Sequence, residues 1–186
     1  MPAGSAVFLV GFMGAGKTSV GRALAERLNW PFQDLDDSIV EREGRSIAEI
    51  FRDSGERVFR EAEHAALRQV IEELRTGTGR AVALGGGAFA QKRNVQLLRG
   101  AHVVFLDAPS EELWSRCFRQ AAETGVERPL LGSMNQFRKL YESRRKAYLQ
   151  AAVTIQTSGR GVQAIADEIA ETLGLGTSRR TKGESE

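Results

Sequence analysis

Short runs of apolar or β-branched residues alternate with amphipathic stretches along this chain. Ala6 to Val10, Ala81 to Leu84, Val103 to Leu106 and Val153 to Ile155 form such runs, with a shorter one around Phe32. Runs of this kind, bounded by turn residues, read as strands buried on both faces. Between them the apolar spacing becomes helical: Val20, Leu24 and Leu28 share one face, Phe59, Ala62, Ala66, Val70 and Leu74 another, and Val162, Ile165, Ile169 and Leu173 a third. Strands alternating with helices predict an α/β fold with a parallel sheet flanked by helices. Ser46-x-x-Glu49 and Ser133-x-x-Gln136 mark two helix starts as capping boxes. From Gly174 onward periodicity is lost, which predicts a flexible tail over 176–186 behind a single domain over 1–175.

Composition narrows the classes. The chain has 186 residues with 41% hydrophobic content, enough for one core. Lys and Arg total 26 against 24 Asp and Glu, a net charge of +2, so no whole-molecule field draws it to nucleic acid or membrane. Cys117 is the only cysteine, which excludes an intrachain disulfide and a cysteine-based metal cluster. The first strand begins within about five residues of the start, and no apolar run approaches the roughly 20 residues of a membrane span. The expected location is the cytoplasm.

The chemistry starts where the first strand ends. Gly11-Phe12-Met13-Gly14-Ala15-Gly16-Lys17-Thr18 fits G-x-x-x-x-G-K-[ST] between a strand and a helix, the context of a phosphate-binding loop. Its backbone N–H groups and the following helix N-terminus would cradle phosphates; Lys17 would add positive charge, and Thr18 would ligate Mg2+. A bound nucleoside triphosphate is the expectation. No Asn-Lys-x-Asp guanine-reading motif is present, which argues against a GTPase switch.

Candidate partners follow. Asp34 and Asp36 close the second strand and, in an extended segment, project to one side, toward the crevice at the strand ends. One could hold Mg2+ through water while the other accepts a hydrogen bond from the hydroxyl being phosphorylated and orients it in line; the alternative is an acidic cap on a helix starting near Ser38, which suits Asp37 best. Asp107 ends another strand like a Walker B acid, but the turn after it favours a structural role. Gly85, Gly86 and Gly87 let a ligand approach the backbone closely. Arg144 shares a helical face with Leu140, Tyr141 and Tyr148, and Arg60 lies three residues before Glu63. With Arg128, these arginines could clamp a carboxylate or phosphate, or could sit in internal salt bridges. The polar segment 117–132 is expected to be a lid or a solvated loop. His64 has no second histidine at metal spacing and His102 starts a strand, so neither is expected to be catalytic; Trp30, Trp114 and Cys117 are expected to be packing residues.

These motifs, in this order, resemble shikimate kinase. The resemblance is carried by residues 11–22, Asp34-x-Asp36, residues 44–51, Gly55-Glu56-x-x-Phe59-Arg60-x-x-Glu63, Gly85 to Gly87, Arg128-Pro129-Leu130-Leu131 and Arg144-x-x-x-Tyr148. It implies a P-loop fold of the nucleoside-monophosphate-kinase type, with a five-stranded parallel sheet and a lid. The implied reaction is ATP- and Mg2+-dependent phosphorylation of the shikimate 3-hydroxyl by a monomer, on the route to chorismate and aromatic amino acids. Residues Gly14, Ala15, Gly16, Lys17, Thr18 and Ser19 would hold the ATP phosphates, and Thr18 with Asp34 the metal. Asp36 would bind the substrate hydroxyls and act as base. Arg60 and Arg144 would bind the shikimate carboxylate, Gly85 to Gly87 would line its site, and Arg128 would reach the phosphates from the lid. Arg116 and Arg160 fall near the adenine-contacting positions. The chain departs from the family at Arg145-Lys146-Ala147, where Pro-Leu is usual before the tyrosine, at a longer lid, and at Val162, where proline often occurs. A gluconate kinase and a non-catalytic nucleotide-binding module are the rival readings.

Overall fold

The computed structural model describes residues 6–75, 77, 79–124 and 132–175. Its strands are β1 (Ala6–Val10), β2 (Phe32–Asp34), β3 (Arg80–Ala83), β4 (His102–Asp107) and β5 (Val153–Gln156). They form a parallel sheet in the order β2-β3-β1-β4-β5. The central strand is β1, wholly buried, and that is why its sequence is apolar at every position rather than at alternate ones.

Helices cover both faces: α1 (Lys17–Leu28), α2 (Leu35–Glu43), α3 (Ile47–Glu73), α4 (Lys92–Leu97), α5 (Ser110–Thr124), α6 (Met134–Tyr148) and α7 (Val162–Thr172). The expected apolar faces are the buried ones. Val20 and Leu24 of α1 pack inward, as do Phe59, Ala62, Ala66 and Val70 of α3, and Ile165 and Ile169 of α7. Val162 is an exception at 41% exposure, because it occupies the first position of α7, before the stripe turns toward the sheet.

Both helix-start signals are used. Ser46 and Glu49 form a reciprocal capping box, and the Ser133 hydroxyl accepts from the Gln136 N–H at 3.2 Å. Helix α3 is broken at Gly55, whose φ of 77° is strained for any residue with a Cβ. That break separates the capped start from the half that carries Arg60 and Glu63.

Two boundaries differ from expectation. Helix α2 starts at Leu35, not near Ser38, and its cap is Asp34, whose carboxylate accepts from the Asp36 N–H at 3.1 Å. The segment expected to be a lid or loop over 117–132 begins as helix, since α5 continues through Thr124. Cys117 is buried in that helix, and no residue from Phe118 to Glu123 is. Residues 125–131, with Arg128, and the expected tail over 176–186 lie outside the described residues.

Candidate active site

The carboxyl ends of β1, β2 and β3 open on a cleft of about 480 Å3. The loop after β1 forms its floor. Lys17 reaches back along this loop, donating to the carbonyls of Gly11 at 3.0 Å and Phe12 at 3.1 Å. Gly14, Gly16, Lys17, Thr18 and Ser19 line the cleft. Ala15 does not: its side chain is buried beneath the loop, and its N–H closes a turn onto the Phe12 carbonyl at 3.2 Å.

Thr18 and Asp34 meet from separate elements. The Thr18 hydroxyl donates to Asp34 Oδ2 at 2.9 Å. These are hard oxygen donors, and among the described residues no cluster of three or more His, Cys, Asp or Glu side chains could form a protein cage for a metal. The pair suits Mg2+, which keeps its waters and takes phosphate oxygens with only one or two protein ligands.

Asp36 is reached differently from the way an extended segment would place it. It sits in the first turn of α2, and both it and Asp34 still line the cleft, while Asp37 is exposed. Burial, reinforced by the negative charges of Asp34 and Asp37, pushes the Asp36 carboxyl up to about 6; Lys17 and Arg60 pull in the other direction. Its Oδ1 is buried without a hydrogen-bond partner among the described residues. A carboxyl so placed can exchange a proton near neutral pH.

Arginine and glycine shape the opposite corner. Arg60 is only 13% exposed and donates through Nη1 to both oxygens of Glu63 at 3.0 Å, with a second ion pair to Glu56 at 3.2 Å. Burial raises the Glu63 carboxyl, while the Arg60 guanidinium opposes that shift. Arg144 lines the cleft, donates to the Gly86 carbonyl at 3.4 Å and lies 5.7 Å from the Phe12 ring centroid. Tyr148 also donates to the Gly86 carbonyl. The salt-bridge reading therefore holds for Arg60, whereas Arg144 makes no salt bridge among the described residues and is met by the Gly86 carbonyl, the Tyr148 hydroxyl and the Phe12 ring face.

The three glycines have a reason that spacing did not disclose. A Cβ on Gly85 would lie 2.6 Å from Asp36 Oδ1, and one on Gly87 would lie 2.5 Å from Arg60 Nη2. Gly85 and Gly87 make room for the protein's own carboxylate and guanidinium; only Gly86 lines the cleft.

On the far wall, Arg116 of α5 lines the cleft. It donates to the Gly14 carbonyl at 3.4 Å and the Thr157 carbonyl at 2.9 Å, and pairs with Glu112 at 2.6 Å. Arg160 does not reach the cleft lining. Its guanidinium is held by the Gln156 carbonyl at 3.0 Å and by Glu168 at 2.5 Å. Arg119, Gln120 and Glu123 line the same wall and were missed by the sequence reading. The available signal was helical spacing from Arg116, hidden because this stretch read as loop.

The structural readings also hold elsewhere. Asp107 is buried and bound by Tyr141 and Arg145, away from the cleft lining. His64 pairs with Asn94 at 2.7 Å between α3 and the start of α4.

A shikimate kinase family model matches residues 13–174. A protein named shikimate kinase from Geobacter sulfurreducens is 46% identical over 90% of this chain and 90% of its own length. Another of that name, from Persephonella marina, is 38% identical over 88% of this chain and 95% of its own. Among solved structures, shikimate kinase from Acinetobacter baumannii in complex with shikimate superposes with a TM-score of 0.80 at 34% identity, covering 91% of this chain and 92% of that one. The phosphate loop, the paired acids and the arginine corner thus occur in a chain aligned with its relatives across almost their whole length, and the chain belongs to the shikimate kinase family.

Proposed function

We propose that this cleft transfers the γ-phosphoryl group of ATP to the 3-hydroxyl of shikimate, giving shikimate 3-phosphate and ADP. One observation carries the reading: a buried carboxyl held near pKa 6 at Asp36 stands in one cleft with the phosphate-loop lysine and the guanidinium of Arg144, which has no carboxylate partner among the described residues. A phosphoryl acceptor with both a hydroxyl and a carboxylate fits that pairing. Arg144, with Arg60 behind it, holds the substrate carboxylate through planar, charge-assisted hydrogen bonds. Asp36 accepts the proton of the attacking hydroxyl and fixes its line of approach. Lys17 exchanges its loop carbonyls for phosphate oxygens, and the loop N–H groups hold the triphosphate. Thr18 and Asp34 hold Mg2+, which when bound neutralises charge on the transferring phosphoryl group. Transfer is direct, without a covalent phosphoenzyme.

Arg116, on the cleft wall, meets the nucleoside end, and the family resemblance alone assigns Arg128 to the ATP phosphates. The protein works as a monomer in the cytoplasm, without nucleic acid or membrane partners. The test is ATP consumption against a panel of hydroxylated acids. Shikimate-dependent ADP release is the expected result. Turnover of gluconate instead, or nucleotide binding without turnover on any acid, would transfer the reading to the two rivals.

A further inference from the structure

Outside the cleft, one buried polar cluster has no part in the reaction as described. Asp107 ends β4 at 3% exposure. Tyr141 donates to its Oδ1 at 2.8 Å, Arg145 to its Oδ2 at 2.8 Å, and Gln156 to Oδ2 at 3.5 Å. Tyr141 and Arg145 are one helical turn apart on α6, so a single carboxylate ties two successive turns of that helix to the sheet. Three residues on from each of these two side chains lies the cleft-facing side of the helix: Arg144 and Tyr148, also one turn apart, both reach the Gly86 carbonyl. The two sides meet again at the phosphate loop. The Phe12 ring lies 5.6 Å from the Tyr141 ring and 5.7 Å from the Arg144 guanidinium.

We propose that Asp107 is a positioning residue for the substrate clamp: by holding Tyr141 and Arg145 it sets the rotation and depth of α6, and with them the place of the Arg144 guanidinium. The inference rests on the assignment of Arg144 to the substrate carboxylate. Rotation of a helix moves every side chain on it, and among the described residues Arg144 has no salt bridge to fix it: it is held by a 3.4 Å hydrogen bond to Gly86, by the Tyr148 hydroxyl of its own helix, which would move with it, and by the Phe12 ring face. A carboxylate that accepts from a tyrosine and an arginine fixes two points on the helix, which one bond could not do. The acid at the Walker B-like strand end thus acts on substrate geometry and not on a metal.

The experiment is a double-mutant cycle with both Michaelis constants measured on the full chain. Asp107→Asn is expected to raise the shikimate KM about tenfold, because a small displacement of a clamp weakens binding steeply, while the ATP KM stays within about twofold. In an Arg144→Lys background, the same Asp107→Asn change is expected to add less than about twofold, because its effect runs through that guanidinium. Tyr141→Phe removes one hydroxyl and keeps the ring, and serves where Asp107→Asn does not fold; it is expected to raise the shikimate KM about threefold with the same non-additivity. An unchanged shikimate KM in both variants, or full additivity with Arg144→Lys, overturns the proposal. If Arg144→Lys alone leaves the shikimate KM unchanged, the clamp assignment itself falls, and the positioning role with it.

Discussion

The two ends of the cleft are built in different ways. At the acid-and-arginine end, Arg60 is locked by Glu63 and Glu56, Tyr148 is bound to Gly86, and Asp36 is packed against Gly85. At the phosphate-loop end Thr18 and Ser19 are exposed, Lys17 donates to carbonyls of its own loop, and Arg119, Gln120 and Glu123 stand exposed along α5. A triphosphate brings its own charge and metal, so that end needs backbone donors and a cation with room to move. A small acid offers few contacts, so its end must be arranged before it arrives; ordering several charged side chains on binding would consume most of the interaction free energy.

The sharpest way to break this contrast is at the phosphate-loop lysine. Lys17→Met is expected to lower kcat by at least about a thousandfold, since the lysine acts on charge in the transition state; retained activity in a single-turnover assay would remove the phosphate loop from the reaction centre. At the rigid end, Asp36→Asn is expected to lower kcat by about 10^2 to 10^4, the usual range for a general base, with ATP affinity by calorimetry nearly unchanged. Wild-type kcat/KM should therefore rise with pH through about 6, as the raised Asp36 carboxyl ionises, and the limb should vanish in the variant. Arg144→Ala is expected to raise the shikimate KM about a hundredfold with little change for ATP, because one charge-assisted clamp is lost. Equal losses on both substrates would show that the two ends are not independent.

Stability offers a check that needs no substrate. A carboxyl whose folded pKa lies above its unfolded value near 3.8 binds more protons when folded, so its contribution to stability falls as pH rises from about 4 to 6. The cost above pH 6 is about 3 kcal/mol. Asp36→Asn should melt several degrees higher than wild type at pH 8, and the gap should close below pH 4; no gap at pH 8 would mean the carboxyl is not strained. The smallest effect is expected from Gly87→Ala, whose added methyl meets the far end of Arg60. The guanidinium can give way, so the expectation is a rise of about threefold in the shikimate KM with the fold intact.

The strands and the phosphate loop were legible because their signals are local. A strand buried on both faces must be apolar throughout, and a loop that wraps phosphate needs glycines and a lysine at fixed spacing. Helix α2 was harder. Only Leu35 and Ile39 are buried in it, too few for a periodic stripe, so its start was placed at Ser38 instead of Leu35. The far half of α5 looked like loop because its polar residues line a cleft and Phe118 is exposed. Arg160 could be placed near the adenine positions only by resemblance, and its ion pair with Glu168 depends on how α7 docks.

What the chain alone determined, then, was the parallel α/β architecture, the triphosphate loop, and which acids and arginines to watch, since composition and spacing encode burial and local backbone shape. The tertiary structure decided how these residues divide their work. It gave Arg60 to Glu63 and left Arg144 without a salt bridge among the described residues, turned Gly85 and Gly87 into clearance for Asp36 and Arg60, and tied Asp107 to α6. Such pairings join residues far apart in sequence, and the free energy of a buried charge depends on what packs against it from other elements.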